Sequence, residues 1–329
     1  MLKWIKISGG NTIFFHRSIR CILIPLLLGW TSAISAREMT GQEIAIIVSQ
    51  DLPLYRQAIE GFRRIYLGKV REYDLKGDPQ EAENVIAFLK EHPPDLILTV
   101  GLVATRVGII AREGLGREGL EKVPIIFCMV LDPDRFSLSG ERMTGVTLQL
   151  NPSELFSKIK LFFPETKKIG VLYDPGKNGK MISSARETAG AEGISLLPVE
   201  VDSESKLPDA VRSLIGKADL LWIIPDSTVV TPESLEFLFL ASIENSLPMI
   251  AFSDDLVKRG AVASFFPDYR SIGEEAGRLV LKILAGEDPS RIPIRSAPTV
   301  RFSINLKMIK KMGIPTDEKA FKSADQVYE

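Results

Sequence analysis

Histidine and cysteine are nearly missing from this chain, whose 329 residues contain two of each. After residue 36, only His92 and Cys128 remain. An internal disulfide is then impossible in that part of the chain, and a zinc site built from His and Cys needs three or four ligands. His92 lies in the turn 91–94, which indicates a surface residue at a helix end. No Gly-x-Ser-x-Gly nucleophile motif occurs. We therefore expect no enzymatic activity, no metal and no cofactor.

An excess of basic charge is also lacking. The chain has 41 basic and 42 acidic residues, and four of the basic ones fall before residue 37. Residues 37–329 therefore contain 37 basic and 42 acidic residues. Proteins that bind nucleic acid depend largely on neutralising phosphates, so this balance predicts no nucleic-acid partner.

The chain has only one long hydrophobic run, and it lies near the N-terminus. Lys3, Lys6, Arg17 and Arg20 precede a charge-free stretch over 21–36, which ends in small residues. A basic segment, a short apolar core and a small-residue cleavage zone are typical of a secretory signal peptide. The apolar core is shorter than the approximately 20 residues of a membrane span. We predict that residues 1–36 are removed to leave a soluble, exported, periplasmic or extracytoplasmic protein; an uncleaved anchor is the alternative.

The remaining residues alternate strand and helix patterns. Short, continuously apolar runs rich in branched residues are typical of parallel strands buried on both faces. They occupy 44–49, 95–100, 124–130, 168–173, 218–224, 248–251 and 261–265. Helical patterns separate them at 54–66, 79–91, 103–113, 153–163, 180–192, 206–216, 232–246 and 272–286. Such alternation predicts an α/β fold with parallel sheets.

The pattern restarts near residue 168, because 168–174 is similar to 43–51. We therefore predict two similar doubly wound lobes joined by a hinge, over about 42–148 and 149–267, with an extended crossover at 143–149. Asp78, Asn151 and Thr231, each followed by Pro, are predicted N-caps. The glycines at 114, 116 and 119 follow a helix, whereas a dinucleotide-binding motif follows a strand, so we interpret them as a connection.

Polar and aromatic residues follow the strands, where open parallel sheets bind ligands. Helix starts near Thr105 and Ser227 offer backbone N–H groups to an anion. An ammonium group could be bound by Asp51, Asp226, Asp254 and Asp268. Helix caps, turns and core positions for Phe127 and Phe252 are open structural alternatives. The candidate binding residues are Gln50, Asp51, Gly101, Thr105, Phe127, Asp132, Tyr173, Asp174, Asn178, Asp226, Ser227, Phe252, Asp254 and Asp268.

Several stretches are distributed in order over nearly all of 42–315. They are 124–133, 143–147, 163–173, 225–226, 260–273, 283–286 and 305–315. By their order and spacing they together resemble the ABC-transporter substrate-binding proteins of the tryptophan- and tyrosine-binding group, which have the type I periplasmic-binding-protein fold.

The resemblance implies a small solute, such as an amino acid or a derivative, bound between the lobes by hinge closure. It also implies delivery to an ABC permease by a monomeric binding protein. It places about 268–290 with the first lobe (37–148) and about 291–329 with the second (149–267). A ligand-sensing subunit that docks a membrane receptor is the alternative, and an exported hydrolase that uses two carboxylates is a third.

The chain departs from the family pattern at expected solute contacts. It has Gly101-Leu-Val-Ala where the family commonly has Thr-Pro-Ala-Ala, and Asp226-Ser227 where Asp-Asn is frequent. It also has Asn178-Gly179 in place of an Asn-Ser pair. The resemblance therefore does not specify an aromatic amino acid.

Overall fold

The computed structural model describes residues 41–113, 122–140, 142–315 and 321–329. The predicted signal peptide and the glycines at 114, 116 and 119 lie outside these residues. Within them, no helix is both long and apolar enough to cross a lipid bilayer.

The first lobe is built on a five-stranded parallel sheet with the order β2-β1-β3-β4-β5. Helices cover both faces, so the central strands are buried throughout, as their continuous apolar runs predict. The strands are β1 Glu43–Val48, β2 Lys69–Asp74, β3 Leu96–Val100, β4 Ile125–Val130 and β5 Met143–Thr147.

The second lobe contains a seven-stranded sheet with the order β12-β11-β10-β9-β8-β6-β7. All its pairs are parallel except β10 with β11, which are antiparallel. The strands are β6 Lys168–Tyr173, β7 Ser195–Glu200, β8 Leu220–Trp222, β9 Met249–Ala251, β10 Ala263–Pro267, β11 Val300–Asn305 and β12 Gln326–Tyr328. The two α/β lobes confirm the predicted fold class.

Ten α-helices occur in the described residues. Asp78, Asn151 and Thr231 each accept a backbone N–H at a helix start, so the predicted caps are confirmed. The helices are α1 Pro53–Ile65, α2 Pro79–Glu91, α3 Leu102–Glu113, α4 Pro152–Phe162, α5 Pro175–Ala191, α6 Leu207–Leu214, α7 Pro232–Glu244, α8 Asp254–Arg259, α9 Tyr269–Leu284 and α10 Leu306–Lys311.

The sequence analysis missed the edge strands β2, β7 and β12 and the interior strand β11. β2 and β7 each pair with one neighbour and are partly exposed. An edge strand does not need a continuous apolar run, and Pro198 inside β7 is tolerated because an edge leaves N–H groups unpaired. The segment expected as an extended crossover forms β5. Helix α5 begins at Pro175, five residues before its predicted start, because Asp174 caps it there.

Helix α9 packs on α1 in the first lobe. Ile272, Ala276 and Leu279 share a buried cluster with Ala58 and Phe62 of α1. The two backbones approach so closely that a Cβ on Gly273 would lie 1.7 Å from the carbonyl oxygen of Ala58. Only a residue without Cβ fits this crossing. The segment after β10 is thereby held against the first sheet.

Three chain segments run between the two sheets and are hydrogen-bonded to one another. They are the connection from β5 to α4, the step from β10 to α9, and residues 295–300 before β11. The Thr147 amide donates to the Arg295 carbonyl (2.8 Å), and the Ala297 amide donates to the Gln149 carbonyl (3.0 Å). The Asp268 amide donates to the Thr299 carbonyl (2.9 Å).

A buried ion-pair cluster fixes the third of these segments to α9. Glu275 is 8% exposed and pairs with Arg295, and it also accepts a 2.7 Å hydrogen bond from Arg278. Burial by itself would raise the pKa of Glu275, but the bonds from the two arginines hold it below its usual value.

Candidate functional site

The carboxyl ends of the parallel strands in both sheets lie next to the three connecting segments. β5 of the first sheet leads directly into the connection to α4, and β10 of the second leads into α9. Polar residues that follow the strands of either sheet therefore collect at the carboxyl ends of the strands, beside the connecting segments. Open α/β sheets bind ligands at these strand ends.

In the first lobe, Ser49 and Gly101 shape the start of α3. The Ser49 hydroxyl donates to the Val100 carbonyl (3.1 Å) and accepts the Ala104 amide (2.9 Å). Gly101 has φ +90°, and a Cβ there would meet the Tyr55 hydroxyl at 2.6 Å. Glycine is thus required at this turn.

Two predicted contacts of the first lobe have no exposed surface. Thr105 donates to the Gly101 carbonyl at 2.8 Å, and its hydroxyl lies 2.9 Å from that of Thr99. Phe127 is 0% exposed in the core between the sheet, α2 and α3. Their packing favours structural roles in place of the expected solute contacts.

Gln50 and Asp51 are exposed after β1. Asp51 forms an ion pair with Arg56. Both predicted residues line a cavity of about 50 Å³ together with Tyr55 and Glu72. Such a cavity holds only a few water molecules. Asp132 lies in the turn after β4, where its carboxylate accepts the Arg135 amide at 3.1 Å.

The second lobe brings three predicted residues into one hydrogen-bonded cluster. Asp226 is 2% exposed, and its Oδ2 accepts the Asp174 amide and the Asn178 side-chain amide, both at 2.7 Å. Its Oδ1 accepts the Thr228 amide at 2.9 Å. All three donors belong to the protein, so Asp226 ties the loop after β8 to the start of α5. This arrangement favours a positioning role over the expected contact with an ammonium group.

Asp174 serves the same loop. It caps α5 by accepting the Gly176 amide at 2.9 Å, and its Oδ2 accepts the Thr228 hydroxyl at 2.6 Å. The hydrogen bond from Thr228 is the main reason why the pKa of Asp174 lies below its usual value, and Lys177 adds to the effect. Asp174 is therefore a charged cap.

Lys177 was not singled out from the sequence, but the structure places it among these residues. Its Nζ donates to the hydroxyls of Ser227 (2.7 Å) and Thr228 (2.6 Å). The only signal in the sequence was its place between Asp174 and Asn178. The cluster thus contains a cation that the prediction lacked.

The predicted aromatic contacts of the second lobe pack against its cores. Tyr173 is 8% exposed, and its hydroxyl lies 3.2 Å from a carboxylate oxygen of Glu200. Phe252 is half-buried against the core under α6 and α7. Each keeps limited surface for a solute.

Asp254 and Asp268 lie apart from that cluster. One oxygen of Asp254 accepts the hydroxyl of Tyr328 at the C-terminus, and the other is buried without a hydrogen bond. Asp268 caps α9 by accepting the Arg270 amide at 3.0 Å. Burial, with the charges of Asp255 and Asp254, raises the pKa of Tyr269.

No group of three or more metal-ligating side chains is found among the described residues. The candidate site consists of hydrogen-bonding groups that follow the carboxyl ends of the strands in both sheets. Residues 60–328 match the family model described as "ABC transporter substrate binding protein". The chain belongs to the ABC transporter substrate-binding protein family. Its members bind small solutes and work with an ABC permease.

The Tyrosine-binding protein of Clostridioides difficile (strain R20291) is 27% identical over 252 residues, which cover 74% of this chain and 70% of that relative. A ligand-free, open structure of a substrate-binding protein with adhesive properties from Clostridium difficile aligns with a TM-score of 0.69. It is 21% identical and covers 87% of this chain and 99% of its own.

A Streptococcus pneumonia ABC domain in complex with L-Trp aligns with a TM-score of 0.58 at 20% identity, over 87% of this chain and 99% of that one. These structural matches establish the type I periplasmic-binding-protein fold. The family and fold expected from the sequence are therefore confirmed.

Proposed function

We propose that this protein is an exported solute-binding component of an ABC importer and that it binds an amino acid between its lobes. The observation that carries this proposal is that three hydrogen-bonded connections join the two lobes and that two of them begin at the carboxyl ends of β5 and β10. The tyrosine-binding relative and the L-Trp complex make aromatic amino acids the first candidates. The chain departs from the family pattern at Gly101 and Ser227, so aliphatic and modified amino acids are candidates as well.

The mechanism that we propose is differential binding. A solute that contacts both lobes only when they are close together shifts the equilibrium toward the closed form by its difference in affinity for the two forms. The three connecting segments would absorb the change in backbone angles, as hinges do. The closed monomer would then dock a membrane permease. No bond is made or broken in this scheme.

Most of the proposed contacts come from the part of the predicted set that is at least partly exposed. In the first lobe they are Gln50 and Asp51, together with the helix start at the buried Gly101. In the second they are the loop at Ser227 and the aromatic surface of Phe252. Asp226 and Asp174 would hold that loop in position.

A thermal-shift screen tests the proposal. The panel contains L-tyrosine, L-tryptophan, aliphatic amino acids, nucleosides, sugars and polyamines. A solute at about 100 times its dissociation constant stabilises the folded state by about 2.7 kcal/mol, which raises the melting temperature measurably. Small-angle scattering with the best solute should show a smaller radius of gyration.

Stabilisation by sugars or polyamines without any amino acid would refute the proposed ligand class. Binding without a change in the radius of gyration would refute hinge closure.

A further inference from the structure

The predicted anchors for an ammonium group in the second-lobe cluster are already occupied. Asp226 accepts three hydrogen bonds from the protein and is 2% exposed. Asp174 accepts the Gly176 amide and the Thr228 hydroxyl. Both carboxylates are therefore satisfied by hydrogen bonds within the lobe, which leaves few of their acceptor positions for a solute.

Lys177 is in a different position. Its side chain is 26% exposed, so part of it faces solvent at the carboxyl edge of the sheet. The two hydroxyls that accept from its Nζ follow β8, and Lys177 itself is in the first turn of α5, after β6. β6 and β8 are paired neighbours, so the ammonium group lies across two adjacent strand ends.

An ammonium group has three N–H donors. Two of them are directed at Ser227 and Thr228. Lys177 also forms an ion pair with Asp174, but its Nζ lies 3.6 Å from Oδ2, which is longer than a normal hydrogen bond. The two short hydrogen bonds thus hold the ammonium group in place, and its third N–H is not used in a short hydrogen bond.

Ser227 adds a second donor beside the first. Its side chain is exposed, and its oxygen accepts from Lys177, so its own hydroxyl hydrogen is free to point elsewhere. An ammonium N–H and a hydroxyl side by side fit the two oxygens of a carboxylate.

We propose that Lys177 binds the carboxylate of the solute from the second lobe, with Ser227 as its partner. This inference rests on the proposed binding of an amino acid. It reverses the polarity expected from the sequence, in which aspartates of this lobe would hold the amino group.

The experiment compares each amino acid with its amide, which lacks the carboxylate charge. Calorimetric titration measures the dissociation constants of L-tyrosine, L-tyrosinamide, L-tryptophan and L-tryptophanamide. The variants are Lys177→Met, Lys177→Arg and the control Lys180→Met, an exposed lysine on the same helix. Thermal unfolding establishes that each variant is folded.

We expect Lys177→Met to weaken binding of the acid about ten- to hundredfold, the range of a hydrogen bond to a charged group. Binding of the amide should change by less than about threefold, because the amide presents no charge to Lys177. Lys177→Arg should keep part of the preference for the acid. Lys180→Met should match the wild type.

Two results would overturn the inference while the proposed function stands. One is an unchanged preference for the acid in Lys177→Met. The other is an equal loss for acid and amide, which would mean that Lys177 only positions the loop. If the wild type binds none of the four probes but binds a solute without a carboxylate, the proposed ligand class and this inference both fail.

Discussion

Replacing Asp226 by Ala separates a structural role from a ligand contact. The substitution removes the acceptor of three hydrogen bonds, from the amides of Asp174 and Thr228 and from the side chain of Asn178. If Asp226 mainly holds the loop to α5, the variant loses stability whether or not a solute is present. If it mainly contacts the solute, the variant keeps its stability and loses affinity.

The size of the loss follows from the geometry. A hydrogen bond to a charged group contributes about 1.5–3 kcal/mol. The Asp226 carboxylate is buried, but Asp174 and Asn178 are only partly buried, so water can replace part of what they lose. We therefore expect the free energy of unfolding to fall by about 2–4 kcal/mol, less than the sum of three full bonds. Asn in this position should also destabilise, because its NH2 group would face another donor.

Urea unfolding measures the effect, since a pure loss of stability lowers the midpoint and leaves the slope unchanged. The control is Asp209→Ala in the same lobe, where the aspartate is exposed and pairs only with Arg212. That change should stay within about 0.5 kcal/mol. A wild-type urea midpoint for Asp226→Ala, together with weaker solute binding, would refute the structural role.

Two further predictions concern the elements that join the lobes. Gly273→Ala should destabilise by more than about 3 kcal/mol or prevent folding, because the new Cβ would lie 1.7 Å from a backbone oxygen of α1. Gly190→Ala, in open space on α5, should stabilise by about 0.5–1 kcal/mol. Calorimetric scans of both variants measure these changes in stability. Equal changes in Gly273→Ala and Gly190→Ala would contradict the close crossing of α1 and α9. Glu275→Gln should cost about 1–2 kcal/mol at neutral pH, because its arginine partners are partly exposed. The folded-state pKa of Glu275 lies below the value of 4.5 for the free side chain. The stabilisation is therefore complete above about pH 4.5 and lost as the pH falls through the lowered pKa. Urea midpoints of wild type and Glu275→Gln should converge in acid. The control Glu187→Gln, on an exposed face of α5, should have the wild-type midpoint at neutral pH.

Much of the fold is predictable from the sequence, because buried parallel strands need continuous apolar runs. β1, β3, β4, β6 and β8 to β10 carry that signal. Of the strands that were missed, β2, β7 and β12 lie at sheet edges, and β12 consists of three residues that pair with β11. β11 is an interior strand, but its apolar residues alternate with polar ones, so it lacks a continuous apolar run. Their formation depends on a partner strand that is distant in the chain.

The same reasoning predicts a candidate site at the strand ends, but it does not predict which charged side chains are hydrogen-bonded within their own lobe. A strand end followed by Asp, Ser or Asn predicts where polar groups collect. This pattern does not show whether a carboxylate faces the solvent or accepts hydrogen bonds from donors in its own lobe. Asp226 and Asp174 turn inward to donors 48 to 54 residues away in the chain. Lys177 takes its place in the cluster only because β6 and β8 are adjacent.

The sequence by itself determined the alternation of strands and helices and the capped helix starts, since these depend on local pattern. Its shortage of histidine and cysteine is the reason to expect no metal- or thiol-based chemistry. The tertiary structure decided which strands are edges, how closely α1 and α9 cross, and which polar side chains at the strand ends are hydrogen-bonded within their own lobe. Those properties depend on contacts between residues far apart in the chain, and no local pattern encodes them.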